Sequence, residues 1–598
     1  MREFSLPALY EVPSDGTLTD LVRRNAAQHP DTPLFGRRVD GAWQDVTARR
    51  FAADVRESAK GLIAAGVGPG DRVVLMSRTR YEWVRLDFAI WSVGAVTVPV
   101  FETSSAEQVR WILADCGAVA AVVESKEHAA LVEALRPELP AVREVWCLEA
   151  GDLDRLAAAG AGVADREVEE RSAGGRADDP ATIVYTSGTT GRPKGCVLTH
   201  RNFFAECGNI VERLKPLFRT GDSSLLLFLP GAHVFGRIVQ VACVMAPIKL
   251  GCLEDTRHLT DELAAFRPTL VLGVPRVFEK VYNAARMTAY EGGRGAVFDR
   301  AARTAVAYSR ALDTPQGPSL GLRLRHRLFD RLVFARLRGV LGGRGEYAIS
   351  GGAPLGERLG HFFRGIGFTV LEGYGLTESC GATTFNPWDR QKIGTVGQPL
   401  PGSVVRIDDD GEVLLHGEHL FREYWGNPEA TAQALVDGWF RTGDVGSLDG
   451  DGYLTITGRK KEILVTAGGK NVAPAVIEDR IRAHALVAEC MVVGDGRPFV
   501  GALITLDEEF LARWAKEHRR PADSTVASLR LDPELLAEVQ RAVDEGNAQV
   551  SRAESVRKFR ILTRQFTEED GHLTPSLKLR RNVVTKEFAE DIEALYTT

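Results

Sequence analysis

Short apolar runs of strand length recur through the first two thirds of the chain, at Val73 to Met76, Ala95 to Val100, Ala118 to Val123, Ile183 to Tyr185, Leu225 to Leu229, Leu270 to Val274 and Val370 to Leu371. Helix-length segments lie between many of them, which is the pattern of an α/β fold. From about Gly394 the texture changes to short strands and glycine turns, as in Gly411 to Gly417 and Asp449 to Ile456, which reads as a β-rich subdomain closing the large domain. A mixed tail follows Arg459-Lys460-Lys461-Glu462, with a helix begun by Asp532 as N-cap and Pro533 at its first position, and Leu536, Val539 and Val543 on one face. At 598 residues the chain exceeds one compact core. The expectation is a large N-terminal domain over residues 1–458, with α/β layered subdomains plus the β-rich one, and a small mobile α+β domain over residues 459–598. The stretches Glu149 to Pro180 and Asp313 to Gly321 read as surface connections.

The chemistry begins where the strand Ile183 to Tyr185 runs into Thr186-Ser187-Gly188-Thr189-Thr190-Gly191-Arg192-Pro193-Lys194-Gly195. Glycines permit tight turns with inward N–H groups, the hydroxyls add donors, and Lys194 adds a charge, so the loop suits a polyphosphate. It is not a Walker A loop, because Pro193 precedes Lys194 and Gly195 follows it. The net charge of −6 gives no indication of a nucleic-acid partner. The start has no long apolar signal region and no apolar run approaches a membrane span, so the expected location is cytoplasmic. The eight cysteines, at 116, 147, 196, 207, 243, 252, 380 and 490, form no Cys-x-x-Cys pair and read as small buried hydrophobes.

Six further motifs follow in order: Pro230 to Arg237, Gly351-Gly352-Ala353-Pro354-Leu355, Gly373-Tyr374-Gly375-Leu376-Thr377-Glu378, Gly438 to Asp444, Gly458-Arg459-Lys460-Lys461-Glu462, and Thr574-Pro575-Ser576-Leu577-Lys578-Leu579-Arg580-Arg581. Together with the phosphate loop they resemble the adenylate-forming, acyl-activating (AMP-binding) superfamily over nearly the whole chain, and the last resembles its long-chain fatty acyl-CoA synthetases. The resemblance implies a fatty acid–CoA ligase using ATP, Mg²⁺ and coenzyme A, with acyl-AMP as intermediate. Carried over onto this sequence, Lys578 bridges carboxylate and α-phosphate, and Lys194 with the loop residues Thr186, Ser187, Gly188, Thr189, Thr190 and Gly191 holds the pyrophosphate. Thr186 and Glu378 hold Mg²⁺. Gly352, Ala353 and Pro354 line the adenine, and Tyr374, within Gly373, Gly375 and Thr377, stacks on it. Asp444 takes the ribose hydroxyls, with Arg459 nearby. His233 gates the acyl tunnel and touches the α-phosphate. Lys461 is the hinge about which Lys578 withdraws and the loop Ala467-Gly468-Gly469-Lys470 enters for thioester formation.

Two alternatives stay open at this point. The acyl-AMP would pass to an acyl-carrier protein instead of coenzyme A, or the fold would bind nucleotide without turnover. Gly458 stands where many fatty acyl-CoA synthetases carry an acidic residue, which bears on hinge energetics or chain-length preference. The tunnel is expected between Val234 and Val274, with no individual residue assigned. Fatty substrates make peripheral membrane contact an open question, as is self-association, and no amphipathic basic helix stands out.

Overall fold

The structure is a computed structural model that describes residues 1–186, 192–521, 523–574 and 578–597. Two large sheets form its main body. In one, the strands Thr369–Leu376, Tyr347–Ser350, Leu270–Gly273, Ser224–Leu227, Lys249–Cys252 and Pro33–Val39 run parallel in that spatial order, with antiparallel strands at both edges. In the other, Pro180–Thr186, Val96–Val100, Arg72–Met76, Ala120–Val123 and Glu144–Cys147 are parallel, and Lys194–Thr199 returns antiparallel to Pro180–Thr186. Helices cover the sheets, which is why Val73 to Met76 is buried throughout and apolar without alternation, and Val96 to Val100 is buried throughout with Thr97 its one polar side chain.

The segment Glu149 to Pro180 is not a plain surface crossing. It contains the helices Asp152–Ala159 and Asp165–Ala173, and Leu153, Leu156 and Val168 are buried in the main core. A Cβ on Gly160 would stand 2.4 Å from the backbone nitrogen of Gly61, so the absence of side chains at both lets this segment lie directly on the helix Ala48–Ala64. Ala, Glu and Arg favour helices, which is why the segment shows little strand signal and still forms regular structure.

The β-rich layer is a six-stranded sheet that also takes the N-terminal strand Glu3–Ser5 onto Ser403–Ile407. Its strand Leu454–Arg459 pairs with Trp439–Leu448, with Asp444 opposite Arg459. Beyond Lys460–Glu462 the chain enters a separate core around the strands Val487–Val493, Val500–Leu506 and Val556–Ile561. The helix Pro533–Asn547 belongs to it, with Asp532 accepting the N–H groups of Glu534 (2.9 Å) and Leu535 (3.2 Å). Leu535, rather than the half-buried Leu536, joins Val539 and Val543 on its buried face. All eight cysteines are buried and free.

Candidate active site

The strand Pro180–Thr186, the β-rich layer and the small unit converge on one cavity of about 640 Å³, a volume suited to a small-molecule ligand. Thr186 and Lys194 line it as antiparallel partners, so the described ends of the phosphate loop are held side by side at the cavity wall. Residues Ser187, Gly188, Thr189, Thr190 and Gly191 lie outside the described residues. The Lys194 ammonium stands 5.1 Å over the ring of Tyr424, whose hydroxyl donates to Glu378 Oε1 at 2.8 Å. Tyr424 thus positions both a cation and a carboxylate of the site. It reaches them because Glu423–Tyr424 pairs with the strand Lys194–Thr199.

On the wall expected to face the nucleotide, Gly351, Gly352, Gly373, Tyr374, Gly375 and Thr377 line the cavity. A Cβ at Gly375 would sit 1.6 Å from the carbonyl oxygen of Gly381, so only glycine fits between these two strands. The chain takes a positive φ of +85° at Gly352, and Ala353 and Pro354 after it are exposed. The Tyr374 hydroxyl donates to Asp444 Oδ2 at 2.7 Å, and Arg459 Nε lies 3.0 Å from Asp444 Oδ1. Asp444 is 3% exposed and anchors both Tyr374 and Arg459, next to Thr442 and Gly443 of the cavity lining. Burial and then the Asp444 charge push the Tyr374 hydroxyl pKa well up, so the phenol stays protonated.

The turn carrying Asp444 has a support that sequence reasoning missed. Glu412, buried at the head of the apolar run Val413 to Leu415, accepts from Gly443 N–H at 2.9 Å, and its second oxygen meets Arg441 and Lys460, each at 2.8 Å. One carboxylate therefore ties the Thr442-Gly443-Asp444 turn to the residue preceding the proposed hinge. The only sequence signal was a carboxylate heading Glu412-Val413-Leu414-Leu415. Lys460 also pairs with Asp410, and Arg441 with Asp408, so the nearby carboxylate group Asp408, Asp410 and Glu412 is taken up by cations.

His233 lines the cavity as N-cap of the helix Val234–Met245, its Nδ1 accepting the Phe235 N–H at 3.1 Å. Burial, reinforced by the Lys578 charge, pulls its pKa down to about 4. The imidazole is neutral at physiological pH and carries its proton on Nε2, which makes it a neutral donor and not a cation. Beyond it the cavity becomes an apolar arm lined by Ile238, Val239, Ala242, Cys243, Leu225 and Leu272. Ile210, Leu214 and Phe218 add a wall from outside the segment Val234 to Val274, because the helix His200–Arg213 packs beside the helix Val234–Met245.

Lys578 enters the cavity from the small unit. Its N–H donates to Thr574 Oγ1 at 3.0 Å and its carbonyl accepts the Thr574 N–H at 2.8 Å, so Thr574 holds the Lys578 backbone at the cavity wall. The residue is exposed, yet walls from both units surround it: burial and then the Arg459 charge lower its ammonium pKa, against the pull of Asp444, Glu378 and Glu462. The two units are joined nearby by Arg276 to Glu489 at 2.9 Å and by the Thr103 hydroxyl donating to Glu568 at 2.6 Å. Lys461 also lines the cavity, whereas Ala467-Gly468-Gly469-Lys470 is exposed outside it, with Lys470 paired to Glu554 at 3.5 Å. Gly458 is buried, and a Cβ there would lie 3.4 Å from that of Ala473 in the small unit, in ordinary van der Waals contact across the joint.

Residues 22–425 match the AMP-binding enzyme family. The chain belongs to that family. Residues 461–598 match the AMP-binding enzyme C-terminal domain. The chain is 51% identical to long-chain-fatty-acid–CoA ligase FadD15 of Mycobacterium tuberculosis over 599 aligned positions that cover 100% of both. Among solved structures it shares its fold with the anthranilate CoA ligase AuaEII in complex with anthranoyl-AMP, at a TM-score of 0.70 and 20% identity over 98% of this chain and 99% of that one. A Mycobacterium tuberculosis fatty acyl CoA synthetase aligns at a TM-score of 0.62 and 24% identity over 96% and 99%.

Proposed function

We propose that the chain is an AMP-forming ligase joining a long-chain fatty acid to coenzyme A. The observation that carries this reading is the meeting of Lys194, Glu378 and Tyr374 with Lys578 of the small unit in a cavity whose far side is an apolar arm. The identity to FadD15 over the full length supports a long-chain acid as the substrate class. In the first step the fatty carboxylate attacks the α-phosphorus of ATP, forming acyl-AMP as the bond to pyrophosphate breaks. A carboxylate with a reference pKa near ~4 is already ionised, so this step needs no base; it needs positive potential between two anions. Lys578 supplies it at the reacting centre and Lys194 at the leaving group, while the neutral His233 Nε2–H donates without adding charge.

Thr186 and Glu378 fit Mg²⁺, since both offer hard oxygen donors at the cavity wall and Tyr424 occupies only one Glu378 oxygen. When bound there, the ion would neutralise part of the phosphate charge. In the second step the coenzyme A thiol, giving up its proton, attacks the acyl carbonyl and AMP leaves. Rotation at Lys461 would withdraw Lys578 and bring in the Ala467 to Lys470 loop. Lys578 at the cavity wall and the exposed Ala467 to Lys470 loop support reading the present arrangement as that of the first step. Pyrophosphate release that requires both ATP and a fatty acid tests the reading; no release with any acid would remove it.

A further inference from the structure

The helix Leu320–Phe329 and the π-helical turn Asp330–Phe334 that continues it carry an apolar ridge on the outside of the molecule. Leu320, Leu324, Leu328 and Leu332 are 79%, 66%, 55% and 50% exposed, while Phe329 and Phe334 on the other side are buried in the main core. Each four-residue step in an α-helix overshoots a full turn by about 40°. A π-turn has more residues per turn, so the step from Leu328 to Leu332 offsets that drift and keeps the ridge in line. Scattered single leucines on a surface are ordinary; four at successive turns are not.

Charge sets this surface further apart. Residues 295–340 contain nine arginines, no lysine and three acidic residues, in a chain whose net charge is −6. Each of the three aspartates already has a partner: Asp299 pairs with Arg286, Asp313 with Arg364 and Asp330 with Arg338. Arg325, Arg327, Arg331 and Arg336 are exposed and make no ion pair among the described residues. The adjoining helix Gly295–Leu312, joined through Tyr308 stacked on His326 at 3.9 Å, adds exposed Arg300, Arg303 and Arg310.

We propose that this face docks on an anionic lipid surface. Protruding leucines bordered by unpaired arginines match the boundary between acyl chains and headgroups, where apolar side chains enter and guanidinium groups meet phosphates. A second copy of the chain fits poorly, because pairing two such faces brings their free arginines together. An acidic protein surface answers the arginines but leaves the leucine ridge in water unless it also offers a groove. No helix among the described residues is long and apolar enough to cross a membrane, so the contact is peripheral. Docking would set the enzyme where long-chain acids partition; only this consequence rests on the proposed function, since the test reads binding and not turnover.

The test is co-sedimentation of the full chain with vesicles of phosphatidylcholine alone and of phosphatidylcholine mixed equally with phosphatidylglycerol, at low and high salt. The expected result is binding to the mixed vesicles that salt reverses. Each basic residue near such a surface strengthens binding on the order of fivefold, so R325E/R327E should weaken it at least ~25-fold. L324Q/L328Q should weaken it on the order of tenfold or more at low salt, with the fold intact by circular dichroism because both leucines already face water. Equal binding to neutral vesicles, no binding to either, or undiminished binding by the leucine variant would overturn the proposal. So would a dimer in solution that L324Q/L328Q dissolves, which would give the face to a second copy.

Discussion

Lys578→Ala separates the two half-reactions if Lys578 acts as a mobile cation. Burial and the neighbouring Arg459 lower its pKa, so the fold holds a positive charge in a walled site where it is poorly compensated, which is the condition two approaching anions require. A unit charge about 4 Å from developing negative charge, at an effective dielectric of about 20, contributes about 4 kcal/mol. Lys578 is reachable by solvent, and Lys194 and Arg459 remain, so the realised loss should fall at or somewhat below that figure. The expected loss in the first step is therefore on the order of 10²- to 10³-fold. Exchange of labelled pyrophosphate into ATP, dependent on fatty acid, reads that step; conversion of supplied acyl-AMP to acyl-CoA reads the second and should stay near the unmodified rate. The sign in pH follows from the same geometry. A lowered ammonium pKa means the cation is lost as pH rises at a lower pH than for an ordinary lysine, and Arg459→Gln should move that alkaline limb upward. Equal loss of both half-reactions in Lys578→Ala would refute the reasoning.

Three further outcomes are expected. Ala242→Phe fills part of the apolar arm, and each methylene kept out of apolar contact costs about 0.8 kcal/mol, or roughly fourfold, so kcat/KM should fall for long acids more than for short ones; an unchanged chain-length series contradicts the arm as acyl site. Glu412→Ala frees the Gly443 N–H and loosens Lys460, which should cost about 1–3 kcal/mol in denaturant unfolding and raise the KM for ATP, with Glu412→Gln recovering part of both; an unaltered KM would sever Glu412 from the nucleotide side. His419 is buried between Thr383 and Ser403, and burial lowers its pKa to about 3. Below its unfolded value of about 6.5 the unfolded chain binds a proton that the folded chain refuses, so stability falls as pH drops, by about 2 kcal/mol between roughly pH 7.5 and 5; melting curves of His419→Gln should show a shallower decline, and parallel curves would count against it.

What the sequence disclosed and what it withheld divide along a physical line. Lys194, Tyr374, Glu378 and Lys578 were legible because each sits in a contiguous motif, and all four do line one cavity. The strands were legible because burial on both faces leaves unbroken apolar runs, as at Val73 to Met76. Tyr424 was not, since its place beside Lys194 and Glu378 comes from pairing with a strand more than two hundred residues earlier. The hold of Asp444 on Tyr374 and Arg459 was not legible, because sequence order does not show which side chains a carboxylate anchors. The leucines from Leu320 to Leu332 have a spacing that serves a buried or an outward face equally well, and only the packing of Phe329 and Phe334 decides between them.

The most direct test of the central claim is to identify the products formed from ATP, Mg²⁺, a long-chain fatty acid and coenzyme A. The account predicts acyl-CoA, AMP and pyrophosphate in equal amounts, and acyl-AMP when coenzyme A is left out. Acyl-AMP that accumulates in the presence of coenzyme A, or ADP and phosphate in place of AMP and pyrophosphate, would contradict it.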